Sequence, residues 1–245
     1  MSEKYKFPPI VEAVCEFQFE PDSPWDLTMP GLIYAEVKDE FLKRKQVNVL
    51  SLAIGPASVQ QQLQPIERIQ FLTEDEKSLI QVGPKLLSIN RLAPYTSWED
   101  FLPFIKKGLE AYKAVVNPKS IHRIGLRYIN RIEIDADNTE LKDYFEFRPF
   151  VGKNLPQDYG VFIVGIQAPY EDSRDILKLE LTSAASEEPN KVAFVLDLDY
   201  FLVRPGAVSF DDVFDWVDRA HIHIEDVFKA SITEKLKQKF RGAEE

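Results

Sequence analysis

Apolar and polar side chains alternate along residues 121–135, which read Ile-His-Arg-Ile-Gly-Leu-Arg-Tyr-Ile-Asn-Arg-Ile-Glu-Ile-Asp. Because successive side chains of a strand point to opposite faces, this alternation predicts the longest strand of the chain. The face that should meet a core contains His122, Ile124, Leu126, Tyr128, Asn130, Ile132 and Ile134. The other face places Arg123, Arg127 and Arg131 at regular intervals, roughly 13 Å apart at the rise of a strand.

The first half of the chain begins with another alternating segment, residues 10–20, which predicts a half-buried strand. Cys15 falls on its apolar face and is predicted to be a small core residue rather than a nucleophile. Residues 46–92, with a candidate strand at 57–64, predict an antiparallel meander, because turn residues recur roughly every eight to twelve positions.

A helix is predicted from Pro30, since proline suits the first helical position. Its buried stripe would be Ile33, Val37 and Phe41. The basic run 43–45 would then form the last helical turn, where cations complement the helix dipole.

The second half of the chain gives a weaker helical pattern and several strong strand patterns. The predicted elements are a short helix at 137–147, a strongly apolar central strand at 161–168, and strands at 176–182 and 192–203. A final helix is predicted over 210–240, with a break near Ala230 and Ser231.

Two serines mark the starts of the two long helices. Ser97 and Ser209 each precede an aspartate by three residues, which resembles a capping box with Asp in place of Glu or Gln. Pro103 lies within the first turns of the earlier helix, so that helix either kinks there or starts at Asp100.

The order strand, helix, several short strands and long helix occurs twice along the chain. We therefore predict an α+β fold of two similar, helix-grip-like halves, residues 8–118 and 119–240, produced by an internal duplication. The alternative is that common capping chemistry arose twice. The halves are expected to form one compact unit, with residues 241–245 as a frayed tail.

Composition narrows the class of protein. The chain has 245 residues, one cysteine and a formal net charge of −10. The single cysteine excludes an intrachain disulfide, and the charge argues against broad binding to nucleic acid or an anionic membrane. Residues 1–9 lack the apolar segment of a signal peptide, and no apolar run approaches the ~20 residues of a membrane span. We expect a cytoplasmic protein with no membrane partner.

The strongest candidate site is polar and lies on strands. Arg123, Arg127 and Arg131 would share one sheet face with Glu180, Asp197 and Asp199 if their strands are neighbours. Arginine forks on such a face could bind the carboxylate or phosphate of a ligand or partner. The alternative is a ladder of cross-strand ion pairs that contributes only ~0–1 kcal/mol per pair.

The remaining candidate metal ligands and catalytic residues are scattered along the chain. His221 and His223 would point about 200° apart on a helix, so they do not share a metal, and His122 is predicted to be a core histidine. The chain contains no recognised nucleotide-binding, hydrolase, metalloprotease or kinase motif. We therefore predict no metal and no cofactor.

Two stretches resemble a known family. They are Pro-Pro-Ile-Val-Glu-Ala-Val-Cys-Glu-Phe at 8–17 and Gly-Leu-Arg-Tyr-Ile-Asn-Arg-Ile at 125–132. Both are similar to the characteristic stretches of a sporadically distributed family of prokaryotic proteins of about 250 residues. The resemblance covers nearly the whole chain and implies a bacterial or archaeal source. The family has no assigned catalytic residue, so no functional residue is carried over.

We expect a non-catalytic binding or interaction protein that receives an unknown protein or small molecule on the arginine-bearing face or in a groove between the halves. The first alternative is an enzyme for a phosphorylated or carboxylated small molecule, with Arg127 or Arg131 as anion clamp. The second is nucleic-acid binding, which requires the run 43–45 to converge with Lys235, Lys237 and Lys239. The sequence leaves the oligomeric state open, and a homodimer is compatible with it.

Overall fold

The computed structural model describes residues 5–51, 64–136, 140–157 and 160–242 of the chain. The strands are β1 (Ile10–Phe19), β2 (Lys43–Ser51), β3 (Gln64–Leu72), β4 (Ser78–Gly83), β5 (Leu86–Leu92), β6 (Ile121–Asp135), β7 (Ile163–Tyr170), β8 (Asp175–Ala184) and β9 (Lys191–Leu202). The helices are α1 (Met29–Val37), α2 (Trp98–Val116), α3 (Val213–Ser231) and α4 (Glu234–Arg241).

The nine described strands form one antiparallel sheet in the order β2-β3-β4-β5-β1-β6-β9-β8-β7. This arrangement confirms the predicted α+β class. Strands of the first half lie on one side of the β1–β6 pair, and strands of the second half lie on the other. The long strand predicted at 121–135 therefore lies where the two halves meet.

The β1–β6 pair is irregular at both ends. At one end, Val11 is an extra residue, because Ile10 and Glu12 pair with the adjacent residues Asn130 and Ile129. At the other end, Gln18 pairs with Arg123 whereas Phe19 pairs with Ile121. Extra residues of this kind bend a strand and redirect its side chains.

His122 shows the effect of the second irregularity. It was predicted to face the core, and this prediction is wrong because its side chain is exposed. The shift in register leaves His122 without a partner on β1 and buries Ile121 in its place.

One face of the sheet is covered by helices and contains the core. Cys15 is buried there as predicted, and burial raises the pKa of its thiol, so the thiol stays protonated and unreactive. Phe19 of β1 stacks on Tyr112 of α2 with ring centroids 4.6 Å apart. Each fully buried side chain of this size contributes roughly 1.5–3 kcal/mol.

The opposite face of the sheet is polar and hydrogen-bonded across strands. Gln70 of β3 donates to Gln81 of β4 at 3.0 Å, and Gln81 donates to Asn90 of β5 at 3.0 Å. Asn90 in turn donates to Glu12 of β1 at 2.7 Å. These amides satisfy one another, so the polar face needs no covering layer.

A buried carboxylate fastens α3 to the second half of the sheet. Asp175 is fully buried and accepts hydrogen bonds from Trp216 Nε1 at 3.1 Å and from the Tyr200 hydroxyl at 3.1 Å. Arg174 Nη2 donates to the same carboxylate at 2.6 Å. A buried charge with this many donors is stable only while its partners stay in place.

The basic run 43–45 was placed at the end of the first helix, and this prediction is wrong. The helix α1 ends at Val37, and Lys43 begins the edge strand β2. Lys43 and Lys45 bind Glu76 at 3.0 and 2.5 Å, on the turn beside their strand. Phe41 is buried as predicted, but from the turn after the helix.

The apolar segment 161–168 was predicted to be a central strand, and this too is wrong. β7 pairs with β8 and forms an edge of the sheet, with the Ile163 and Ile166 side chains 70% and 51% exposed. Apolar content alone does not encode which strands pair. The predicted strands at 176–182 and 192–203 are confirmed as β8 and β9.

The helix boundaries are partly as predicted. Ser97 Oγ accepts a hydrogen bond from the Asp100 amide at 3.2 Å and caps α2, which begins at Trp98. The alternative start at Asp100 is therefore wrong, and Pro103 lies inside the helix. The break in the final helix is confirmed between α3 and α4. The helix predicted at 137–147 is a 3-10 turn at Leu141–Asp143 in its described part. The strand predicted at 57–64 lies outside the described residues except for Gln64, which begins β3. Of the tail at 241–245, the structure describes only the first two residues.

We predict that Asp175→Ala lowers the free energy of unfolding by about 3–5 kcal/mol, because it leaves buried donors without an acceptor. Urea denaturation followed by circular dichroism measures the change. Asp226→Ala, on the exposed side of α3, is the matched control and should change stability by less than about 0.5 kcal/mol. Equal effects of the two substitutions would contradict this role of Asp175.

Candidate functional site

A cavity of about 140 Å³ lies on the helical side of the sheet, where the two halves meet. Its walls come from the residues before β1, the start of α2, the central part of β6, and α3. The extra residue at Val11 lies beside the cavity, where Pro9 and Ile10 contribute to the wall. The cavity therefore depends on both halves.

Three side chains on one wall form a hydrogen-bonded chain. The hydroxyl oxygens of Tyr95 and Tyr128 lie 3.1 Å apart, and the Tyr128 oxygen lies 3.2 Å from Nδ1 of His221. Burial lowers the pKa of His221, although Glu225, Asp218 and Glu99 oppose the shift, so the imidazole is neutral near pH 7. Burial also raises the pKa of Tyr128, which keeps its proton.

The tautomer of His221 sets the direction of this chain. With the imidazole proton on Nε2, Nδ1 accepts from the Tyr128 hydroxyl, and the Tyr128 oxygen accepts from Tyr95. With the proton on Nδ1, both hydrogen bonds run in the opposite direction. In either tautomer the three side chains form a continuous path for hydrogen bonding beside the cavity.

Trp98, the first residue of α2, fastens the two long helices together. Its indole Nε1 donates to Asp218 of α3 at 2.9 Å. Its ring stacks on His221 with centroids 4.3 Å apart and an interplanar angle of 8°. Because Ser97 caps the same helix end, the position of this aromatic wall is fixed by local hydrogen bonds.

Asn130 of β6 presents a polar atom to the cavity. The residue is 2% exposed, and its Nδ2 donates to the carbonyl oxygens of Leu196 at 3.0 Å and Tyr128 at 3.4 Å. Because both partners are carbonyl oxygens, which only accept hydrogen bonds, the side-chain atom that contacts them is the amide nitrogen. No described residue donates to Oδ1 of Asn130, so this acceptor is available to a molecule in the cavity.

Two carboxylate side chains contribute to the wall of the cavity. Glu99 and Glu225 line it, and among the described residues that do so there is no lysine or arginine. Glu225 also pairs with Lys229 at 3.0 Å, one turn further along α3. The walls therefore combine aromatic rings, neutral hydrogen-bonding groups and negative charge.

The arginine face predicted from the sequence is partly assembled on the polar side of the sheet. Arg127 binds Asp197 through two hydrogen bonds of 2.8 and 2.5 Å. Arg123 lies 3.5 Å from Asp199 and 3.8 Å from Glu16. Burial raises the pKa of Asp199, against the opposing charges of Arg123 and Arg127.

Two members of the predicted set bind other partners. Arg131 binds Glu133 on its own strand at 2.8 Å and the carbonyl of Ala185 at 2.7 Å. Glu180 lies opposite Asp197 in the β8–β9 register but pairs with Lys178 of its own strand at 2.9 Å. All three arginines have partners within the chain. The pairs of Arg123 and Arg127 cross strands, as expected of an ion-pair ladder, whereas the pair of Arg131 lies within β6.

The basic clusters that nucleic-acid binding would require lie far apart. Lys43–Ser51 is β2, at one edge of the sheet, whereas Lys239 of α4 donates to the carbonyl of Glu133 on β6. β2 and β6 are separated by five strand spacings, roughly 24 Å. The two clusters do not form one surface.

Sequence reasoning missed the cavity. It assigned Tyr128 and Asn130 to the core face of the long strand, and it considered His221 only as a metal ligand. The available signal was the presence of two hydrogen-bonding side chains on an otherwise apolar strand face. The two stretches that carry the family resemblance, 8–17 and 125–132, both contribute residues to the wall.

We predict that the stability of the protein falls as the pH decreases below about 6.5, the ordinary pKa of histidine, in part because of His221. In this pH range the imidazole of His221 is protonated more readily in the unfolded chain than in the folded protein, because burial lowers its pKa in the folded state. His221→Gln should reduce this slope in urea denaturation between pH 7.5 and 5.5. His122→Gln, at an exposed position, is the control. An unchanged slope in His221→Gln would contradict the prediction.

Comparisons with known proteins give no family for this chain. No family model matches it, and no curated protein matches it at a significant level. The family resemblance of residues 8–17 and 125–132 stays a prediction. Over the part of the chain that the structure describes, no helix is long and apolar enough to cross a membrane, and no group of three or more metal-binding side chains converges.

Proposed function

We propose that this protein is a non-catalytic binding protein whose small-molecule ligand occupies the cavity between the two halves. The observation that supports this most directly is Oδ1 of Asn130, an acceptor at the cavity to which no described residue donates, on a residue that is 2% exposed. A ligand or an ordered water in the cavity can donate to this oxygen. A ligand that displaced such a water would regain its hydrogen bond.

The size of the cavity suits a small ligand. Its volume of about 140 Å³ is close to that of an engineered cavity, about 150 Å³, that binds benzene. The walls are rigidly held, since Trp98 is bonded to Asp218 and Tyr128 is bonded to both Tyr95 and His221. Preformed walls reduce the entropy cost of binding.

The cavity is a better candidate than the arginine face. Arg127 and Asp197 satisfy each other through two hydrogen bonds, so an anion would have to displace a carboxylate already in place. In the cavity, by contrast, an acceptor is available without breaking any contact within the protein. The arginine face remains a candidate for a protein partner.

We predict that native mass spectrometry of the protein purified from its own host reveals a bound small molecule that Ile224→Phe removes. Ile224 is buried and lines the cavity, so the larger ring occupies the ligand's space. Ile222→Phe lies on the same helix with a side chain 53% exposed and is the matched control. It should keep the ligand and the stability of the unsubstituted protein.

The result that overturns the proposal is a ligand-free protein whose thermal stability responds to no added small molecule in a screen. A ligand at 100 times its Kd should raise stability by about 2.7 kcal/mol. A co-purifying molecule that Ile224→Phe and Ile222→Phe retain equally would place the binding site elsewhere on the protein.

The enzyme alternative is supported by the chain Tyr95–Tyr128–His221. A neutral histidine with an ordered hydrogen-bond partner beside a cavity is a candidate general base or acid. His221→Gln separates the two functions, because it should abolish turnover of an enzyme substrate while a binding protein retains most of its affinity.

We also propose that the scaffold arose by duplication and that the protein is cytoplasmic. Outward from the joint, the first half has the order β1-β5-β4-β3-β2 and the second has β6-β9-β8-β7. In each half a long helix, α2 or α3, follows the strands. This matching order supports a duplication, and a single buried cysteine suits a reducing compartment.

If the halves are separate folding units, fragments 1–118 and 119–245 expressed together should associate through the β1–β6 pair. The cut lies beside Glu20, which accepts hydrogen bonds from the amides of Lys119 and Ser120 at 2.6 and 2.9 Å, so a new amino terminus there is electrostatically favoured. Co-purification with native-like circular dichroism supports the division. Insoluble or unassociated fragments would contradict it.

A further inference from the structure

The size of the cavity limits the ligand to a few atoms. Its volume of about 140 Å³ is close to that of a cavity that binds benzene, so it admits roughly six to eight non-hydrogen atoms. Ile10 of β1, Leu198 of β9, and Ile224 and Phe228 of α3 contribute apolar side chains to its wall. The body of a ligand that fits there is therefore apolar, since such walls do not replace the hydration that a polar group would lose.

The charged residues of the wall are more accessible than the others. Glu99 is exposed and Glu225 is partly exposed. Among the lining residues that the structure describes, the buried ones are all uncharged: Tyr95, Tyr128, Asn130, Leu198, Ile224 and Phe228. The buried part of the wall therefore offers no charged partner to an ionised ligand.

The protonation states of the wall show how this environment acts on charge. Burial lowers the pKa of His221, against the opposing effect of nearby carboxylates, so the imidazole is neutral near pH 7. Burial raises the pKa of Tyr128 and of Tyr95, so both hydroxyls keep their protons. The same loss of hydration holds a base and two acids uncharged, and an ionised ligand would meet the same penalty.

Asn130 supplies a directed polar contact inside this apolar space. The residue is 2% exposed, and its Nδ2 donates to the carbonyl oxygens of Leu196 at 3.0 Å and Tyr128 at 3.4 Å, which fixes the orientation of Oδ1. An amide oxygen only accepts hydrogen bonds, and no described residue donates to this one. A ligand with a hydroxyl group can donate to it, whereas a ligand with acceptors alone leaves it unpaired.

We infer that the ligand of this cavity is a small neutral molecule with an apolar body and one hydroxyl group, of the class of phenols and simple alcohols. This inference rests on the proposed function. The hydroxyl donates to Oδ1 of Asn130, and the apolar body packs against Leu198, Ile224 and Phe228. Alkyl amines also donate, but they are ionised near pH 7, as the lysine side chain is, so the hydroxyl is the donor that stays neutral.

A change in selectivity tests the donor, by isothermal titration calorimetry on the full-length protein at pH 7.5. Phenol has a hydroxyl donor, and toluene has the same size without one. Asn130→Leu removes the acceptor, so it should reduce the preference for phenol over toluene about tenfold. Because the dehydration of each probe is the same for every variant, the change in this ratio isolates the contact with Asn130.

The matched control is a buried asparagine on the other face of the sheet. Asn90 is 5% exposed, bonds to Glu12 on the polar face and does not line the cavity, so Asn90→Leu should leave the ratio of the two affinities unchanged. A measurement on the unsubstituted protein applies if Asn130→Leu does not fold. The NMR signal of the Asn130 side-chain carbonyl carbon should move to lower field when phenol binds, because the carbonyl then accepts a hydrogen bond, and should not do so when toluene binds.

A second set of probes, of nearly equal size, tests the absence of charge. Benzyl alcohol is neutral at pH 7.5, whereas benzylamine is a cation and benzoate is an anion. Benzyl alcohol should bind at least about tenfold more tightly than either ion, because the ions lose more hydration than the wall replaces.

The outcomes separate the inference from the proposed function. An equal preference for phenol in the unsubstituted protein and in Asn130→Leu, with Ile224→Phe abolishing the binding of both probes, overturns the donor and leaves a ligand-binding cavity. A carbonyl signal of Asn130 that phenol does not move has the same consequence. Benzylamine or benzoate binding as tightly as benzyl alcohol overturns the neutral class. An equal change of the ratio in Asn90→Leu overturns the assigned role of Asn130. If no probe binds the unsubstituted protein, the inference fails, and native mass spectrometry then decides the proposed function on its own.

Discussion

The antiparallel pairing of β1 with β6 is the constraint on which the rest of the structure depends. It joins the strands of the two halves into one sheet and brings α2 and α3 side by side on the same face. The irregularity at Val11 falls beside Asn130, so the same pairing that builds the sheet also shapes the cavity wall. A change of register there would move every side chain of β6 to the other face and remove both the core and the cavity.

The sequence predicts which face of a strand a residue occupies better than it predicts which strands pair. Along β1, β8 and β9 the alternation of apolar and polar residues matches the burial of their side chains, because the period of a strand is a local property. It failed for β7, whose place at the edge is set by pairing with β8 alone. It also failed at His122, where a register shift against β1 changes the period within the strand.

The candidate site also depends on tertiary contacts that local sequence patterns do not encode. The arginines could be assigned to one face from their spacing alone, and Arg123 and Arg127 do share it with Asp197 and Asp199. The cavity could not be found in this way, because Trp98 and His221 lie more than a hundred residues apart in the chain. Only the tertiary contact between α2 and α3 makes them neighbours.

The two edges of the sheet are chemically unequal. β2 begins with Lys43, Arg44 and Lys45, and like charges on two such strands would repel each other. β7 has no charged residue and exposes Ile163 and Ile166. Charged side chains on an edge strand hinder edge-to-edge pairing of sheets, so β2 has this protection and β7 lacks it.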